Sequence, residues 1–290
     1  MVKILFSLML LASFAIAQEE VESKALENVT TVQEKDPLTE KIKSFLNEKT
    51  YADNKAYIKV IFEPKSAFYT KDRVDTVKVI QTLKENGLLK LFFKSPQEFR
   101  LNFKTSGPPI FFVKLMSDTL RSIGYYRYVT TASNLDASEF TWSINLTSEY
   151  ATDPLVLQTQ LAKSSCEIVD IARNGAKEWS YVIDISHAKL NVKTLKDGEE
   201  IKLRRSLYAH WLNVSQIRVL KVKSSLRNSW YPNIAYYDSS LHLVKIIKKD
   251  KIYKELLLNI PKNAIYMKLS DLYTLKNVRD QLTLDASGRR

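Results

Sequence analysis

The sequence predicts an α+β protein: tandem small βαβ(β) modules followed by an antiparallel β-sandwich. Three observations lead there. Between about 55 and 190, helical apolar spacing alternates with short β-branched and aromatic runs, with glycine or proline at most exchanges. In that stretch the pattern Thr-Leu-basic-x-x-Gly-apolar-apolar-basic-apolar-apolar occurs twice, at Thr82–Phe92 and at Thr119–Val129. Beyond about 201 the helical spacing gives way to strand-like runs with turn residues between them.

Taken in order, residues 1–17 read as a signal peptide. Lys3 is the basic start, Ile4 to Ile16 is apolar apart from two serines, and Ala15-Ile16-Ala17 is a small-x-small cleavage site. Export to a periplasm is expected, with cleavage after Ala17 and a mature chain that begins at Gln18 and has no transmembrane segment. Residues 18–50 form an acidic leader ending in an amphipathic helix, for which Asp36-Pro37 is the start signal and Leu38, Ile42, Phe45 and Leu46 the apolar stripe.

Residues 51–192 hold the α/β modules. Tyr57 to Phe62 reads as a strand. Thr70 or Asp72 caps a helix that Gly87 stops, and Leu88 to Phe93 and Phe99 to Phe103 read as strands. Gly107-Pro108-Pro109 opens a second helix, stopped by Gly124 and followed by strands Tyr125 to Thr131 and Phe140 to Leu146. Asp153-Pro154 caps a third, short helix. Cys166 to Ile171 and Trp179 to Ser186 form a hairpin about Asn174-Gly175. Each repeated unit is a helix, a glycine in the left-handed conformation and a strand.

Residues 193–200 are polar and turn-rich and read as a linker, 201–284 as the sandwich, and 285–290 as a tail. The expected sandwich strands are Ile217 to Lys223, Ile234 to Tyr237, Leu241 to Ile247, Ile252 to Ile260 and Ile265 to Ser270, with Trp211 and Trp230 in the core.

The element order and the glycine after each helix resemble the small POTRA-like, ring-building βαββ modules of secretion and outer-membrane machines. That likeness implies scaffolding. Tyr237-Asp238-Ser239-Ser240-Leu241 and Ile260-Pro261-Lys262-Asn263-Ala264-Ile265-Tyr266 make the C-terminal part similar to jelly-roll, galactose-binding-like sandwiches.

Composition narrows the chemistry. One cysteine and three histidines leave little for thiolate zinc, iron–sulfur or disulfide sites, and six glycines leave little for phosphate-cradling loops. No cofactor or metal is expected. The formal charge of +12 draws anions, but export argues against nucleic acid. Ser186-His187-Ala188-Lys189 fits S-x-x-K, yet the motif needs a helix and here ends a strand. His187, His210 and His242 lack metal-ligand spacing, and Cys166 reads as a buried structural thiol. Trp230, Tyr231, Tyr236 and Tyr237, beside Asn228 and Asn233, are the candidate ligand-binding residues, since aromatic faces and amides are how sugars are gripped; Lys245, Lys248, Lys249, Lys251 and Lys254 form a basic hairpin. The expected function is a non-enzymatic periplasmic adaptor or scaffold that binds other envelope proteins, an accessory part of a machine such as a flagellar motor or secretion system. The alternative is a cell-wall or surface glycan-binding protein.

Overall fold

Proline sets the first described element. The computed structural model describes residues 36–289, so the expected signal segment, the expected cleavage site and the expected leader up to residue 35 lie outside the described residues. The chain divides into units 1–40 and 41–290. In the first, Pro37 opens α1 (Pro37–Phe45), and the Thr39 hydroxyl donates to Asp36 Oδ2 at 2.6 Å.

The second unit continues α1 into α2 (Glu48–Asp53) and α3 (Lys55–Ile61). The strand expected at Tyr57 to Phe62 is therefore a helix. Its β-branched composition is overridden by spacing: Ile58 and Phe62, four apart, are buried, while Tyr57 and Val60 stay exposed. The hairpin β1 (Tyr69–Thr70) and β2 (Arg73–Val74) follows, turning at Lys71 and Asp72 with positive φ. Asp75 is the helix cap, rather than Thr70 or Asp72. Its carboxylate accepts from Lys78 N at 3.0 Å and starts α4 (Thr76–Glu85).

The chain then runs β3 (Phe92–Thr105), α5 (Pro109–Ser122), β4 (Val129–Asp136), β5 (Glu139–Tyr150), α6 (Pro154–Ala162), β6 (Glu167–Gly175) and β7 (Glu178–Asp184). The strands make one five-stranded sheet in the order β4-β5-β3-β7-β6, with β3 and β7 parallel and the other pairs antiparallel. The two repeated units thus pool their strands: β3 and β4 flank β5. Alternation along β3 gives the sheet two unlike faces. Phe99, Leu101 and Phe103 are buried on one, with Trp142, Ile144 and Tyr181. Phe103 lies 6.0 Å from Trp142 and 5.7 Å from Tyr181 between ring centroids, and Phe112 of α5 meets Phe140 edge-on. On the other face Ser143 donates to Asn102 Oδ1 at 2.7 Å, and Asn102 donates to Glu178 Oε1 at 2.9 Å.

Both repeated strands begin four residues later than their composition implies, for one shared reason. Leu88 N bonds Leu83 O at 2.9 Å, and Tyr125 N bonds Leu120 O at 2.9 Å. These are the long closing bonds of a left-handed helix cap, and they hold the following residues off the ladder. Gly87 and Gly124 sit at the matching positions with φ +73° and +98°. A Cβ built on either meets nothing within 4 Å, so a side chain is opposed by backbone strain alone. Gly87→Val and Gly124→Val are each expected to lower stability by about 1–2 kcal/mol in urea unfolding, and asparagine at either place by less.

The sandwich holds β8 (Lys193–Thr194), β9 (Glu200–Leu203), β10 (His210–Asn213), β11 (Ile217–Ser224), β12 (Pro232–Tyr237), β13 (Leu243–Lys248), β14 (Glu255–Asn259), β15 (Tyr266–Asp271) and β16 (Leu282–Arg289). Its sheets run β13-β12-β15-β10-β8 and β14-β11-β16-β9. All pairs are antiparallel except β8 with β10. Leu220, Val222, Leu258 and Leu284 meet Trp230, Ile234, Tyr236 and Met267 between them. The stretch 193–200 belongs to this domain, because β8 pairs with β10 and Leu195 is buried in the core. Residues 285–289 likewise belong to β16.

Chain connection and side chains tie this domain to the α/β sheet. Leu190 N donates to the Tyr266 hydroxyl at 3.1 Å, and the Arg121 guanidinium lies 4.3 Å from the Tyr208 ring centre. Trp211, expected in the core, is instead half-buried at this junction, stacked on Tyr237 with Lys114 and Lys268 over its ring. Burial lowers the Lys114 pKa from the ordinary lysine value, and its contact with Asp118 works against that. No helix among the described residues is long and apolar enough to cross a membrane.

Candidate functional site

The two glycine caps face one cleft. It has a volume of about 620 Å³ and is lined by Gly87 and Gly124 from the repeated turns, by Leu89, Leu91 and Phe92 leading into β3, and by Tyr150 and Ala151 leaving β5. The repeat explains the convergence: each helix ends in the same left-handed turn and each turn feeds the same sheet. Ala151 N bonds Leu91 O at 2.7 Å and closes the floor, where Leu89, Leu91 and Ala151 are buried.

Above that floor the apolar side chains are open. Phe92 and Tyr150 are direct partners in the β3–β5 ladder, and they are 57% and 60% exposed. Val156 on α6 is 46% exposed on the same cleft. Single exposed apolar residues are ordinary, but a contiguous set around a concavity marks a contact site.

The polar groups are mostly spent on structure. Lys84 Nζ meets Asp153 Oδ2 at 2.6 Å, and the other Asp153 oxygen caps α6 through Leu155 N at 3.0 Å. The Thr152 hydroxyl lies 3.4 Å from the Tyr125 hydroxyl, whose pKa is raised by burial. Lys90 lines the cleft, is exposed and has no ion-pair partner among the described residues. The cleft can therefore take apolar side chains and place one negative charge beside Lys90.

The four candidate ligand residues do not form one platform. Tyr236 and Tyr237 alternate along β12, while Trp230 and Tyr231 precede that strand. Trp230 and Tyr236 are fully buried between the sheets, and the Trp230 indole donates to Ser270 O at 2.9 Å. Tyr237 is half-buried and stacked on Trp211 with ring centroids 5.1 Å apart. Tyr231 is half-buried and packs edge-on against Tyr273, which is 65% exposed. The neighbouring Asn228 amide is used internally, donating to Gln281 O at 2.9 Å and accepting from Asp280 N at 2.8 Å. In the basic hairpin, Lys254 donates to the carbonyls of Leu226 and Asn228.

The remaining motifs settle into structural places. Ser186 to Lys189 follow β7 in a turn, not a helix, and Ser186 N donates to Asp184 Oδ1 at 2.8 Å. Backbone and side-chain bonds from Ser186 hold the Asp184 carboxyl below its ordinary pKa. His187 is exposed, His210 is half-buried with a pKa lowered by burial, and His242 Nδ1 lies 3.0 Å from Asp238 Oδ2. Cys166 is buried, and desolvation, with a smaller contribution from Asp184, pushes its thiol up to about 12, so little thiolate forms near neutral pH. Among the described residues no three His, Cys, Asp or Glu side chains gather as a metal site.

Sequence reading singled out both glycines but not the cleft between them. The available signal was that Phe92 stands where strand residues should be covered, at the end of the first repeat. Compared with protein-family models, with curated proteins and with solved structures, the chain matches none of them.

Proposed function

We propose that this chain is a non-enzymatic scaffold of the cell envelope, a periplasmic adaptor that holds a segment of another envelope protein in the cleft between Gly87 and Gly124. The carrying observation is the set of open apolar side chains there, Phe92, Tyr150 and Val156, around a concavity whose only unpaired charge is Lys90 among the described residues. The occupant is an extended segment with a large apolar side chain and an acidic neighbour. Lys90 and the net charge of +12 favour such a segment over a basic one. Export rests on the signal-type sequence at 1–17.

A photo-crosslinking residue placed at Tyr150 in cells tests the reading. One discrete envelope protein is expected to crosslink from Tyr150 and not from Leu226, which is 87% exposed on the sandwich. Phe92→Ser should abolish that product without unfolding the protein, because the ring is already more than half exposed. A Tyr150 site that crosslinks nothing, or a product indifferent to Phe92→Ser, overturns the proposal.

The glycan reading keeps one foothold, the edge-on pair of half-buried Tyr231 and exposed Tyr273. Retention on peptidoglycan that is lost in a folded Tyr273→Ala variant would favour it instead.

A further inference from the structure

The edges of the α/β sheet are treated unequally. At β6 the outward backbone is already occupied: Ile168 N donates to the Gln158 side chain at 2.7 Å, and Arg73 donates to Val169 O at 2.7 Å. Arg73 also pairs with Glu167, and Lys41 with Asp170, so charges line that edge as well. In the sandwich, edge strand β13 carries Lys245 and Lys248, and β14, β9 and β8 have five, four and two residues. Charge, covering groups and shortness are the usual ways an edge is kept from pairing.

β4 is long and uncovered, and of such devices it carries the single charge of Asp136 and a bulge at Thr131. It is eight residues long, Val-Thr-Thr-Ala-Ser-Asn-Leu-Asp, with one charge at its far end and no proline. All but Ala132 are exposed. Among the described residues its backbone has no hydrogen bond beyond the ladder with β5.

The strand is also complementary to itself. Its ladder skips from Thr130 to Ala132, so Thr131 is the extra residue of a bulge and Thr130 and Ala132 are successive positions on alternate faces. The ladder begins at Val129; continuing its alternation two residues back, and counting with that bulge, puts Arg127 on the face of Asp136 and equally far from Ala132. A two-fold axis through Ala132, perpendicular to the sheet, therefore sets Arg127 of one copy opposite Asp136 of the other, at both ends of the pairing. It also sets Tyr128 opposite Leu135, Val129 opposite Asn134 and Thr130 opposite Ser133. No like charges meet, and the residue on the axis is small. Neither Arg127 nor Asp136 has an ion-pair partner among the described residues.

We propose that β4 pairs antiparallel with β4 of a second copy of this chain, joining two five-stranded sheets into one of ten. The contact is isologous, so it closes at two copies. It is independent of the cleft.

Light scattering after size exclusion and sedimentation velocity on the purified protein test this. The protein is expected at twice the single-chain mass. Asp136→Arg and Arg127→Asp should each return it to the single-chain mass, and the double exchange should restore the dimer. That rescue is something a folding defect cannot imitate. Ala132→Cys should form an intermolecular disulfide under mild oxidation, while buried Cys166 does not. A protein of single-chain mass throughout, a dimer unchanged by Asp136→Arg, or a double exchange that stays monomeric would each overturn the proposal.

Discussion

Trp230→Ala is expected to lower stability by about 3–5 kcal/mol. The indole is the largest fully buried side chain of the described residues, and it stands between the two sheets of the sandwich beside Ile234 and Met267. Its removal loses the transfer energy of the ring and leaves a cavity that strands fixed on both sides cannot collapse to fill. It also leaves the Ser270 carbonyl without the donor it has at 2.9 Å. Urea unfolding of the purified variant checks this, with Tyr273→Ala as the control. The Tyr273 ring is mostly solvated, so its loss should change stability by no more than about 0.5 kcal/mol. A Trp230→Ala protein that unfolds with the wild type would mean that this ring is not the centre of the core.

Asp271→Ala should be comparably damaging, for a polar reason. The carboxylate is 7% exposed at the end of β15. One oxygen accepts from Tyr231 N at 2.8 Å. The other accepts from Tyr273 N and Thr274 N, both at 2.9 Å, and from the Asn277 side chain at 3.0 Å. One side chain thus anchors the entry to β12 and the whole connection to the 3₁₀ turn Leu275–Asn277. Alanine leaves four donors without their acceptor, at a cost of about 3–5 kcal/mol when the lost charge-assisted bonds are partly replaced by water. Asparagine keeps one acceptor oxygen but turns an amide group toward N–H donors, so it should fall between. Thermal and urea unfolding read both. Since Trp230 and Asp271 hold neighbouring turns of the same strands, the double variant should lose less than the sum of the two.

What could be read in advance divides along physical lines. Some helix ends made by one residue and its immediate neighbours were legible: Asp153-Pro154 starts α6, and Gly87 and Gly124 stop their helices with positive φ, whereas the cap of α4 is Asp75 and not Thr70 or Asp72. The α+β class and the antiparallel sandwich were legible from periodicity. Elements decided by distant partners were not. Lys193–Thr194 is too short to announce a strand and becomes one because β10 lies alongside. Tyr57 to Phe62 has strand-like side chains but only one stripe to bury, which a helix satisfies. For the candidate site, four clustered aromatics were conspicuous in the sequence, but two of them, Trp230 and Tyr236, are taken into the core. The cleft, by contrast, is assembled from residues as far apart as Leu89 and Tyr150, each unremarkable alone.

The position of β16 sets a constraint on how the sandwich comes into being. This last strand is internal to its sheet, between β11 and β9, and its ladder with β11 reaches from Leu282 to Arg289. Until those residues have left the ribosome, β9 and β11 have no common neighbour and one face of Trp230's surroundings is missing. The sheet β14-β11-β16-β9 therefore cannot be completed strand by strand as the chain is made. The pairs β11–β14 and β13-β12-β15-β10 need no part of β16, but β9 gains its place in the sheet only when β16 arrives.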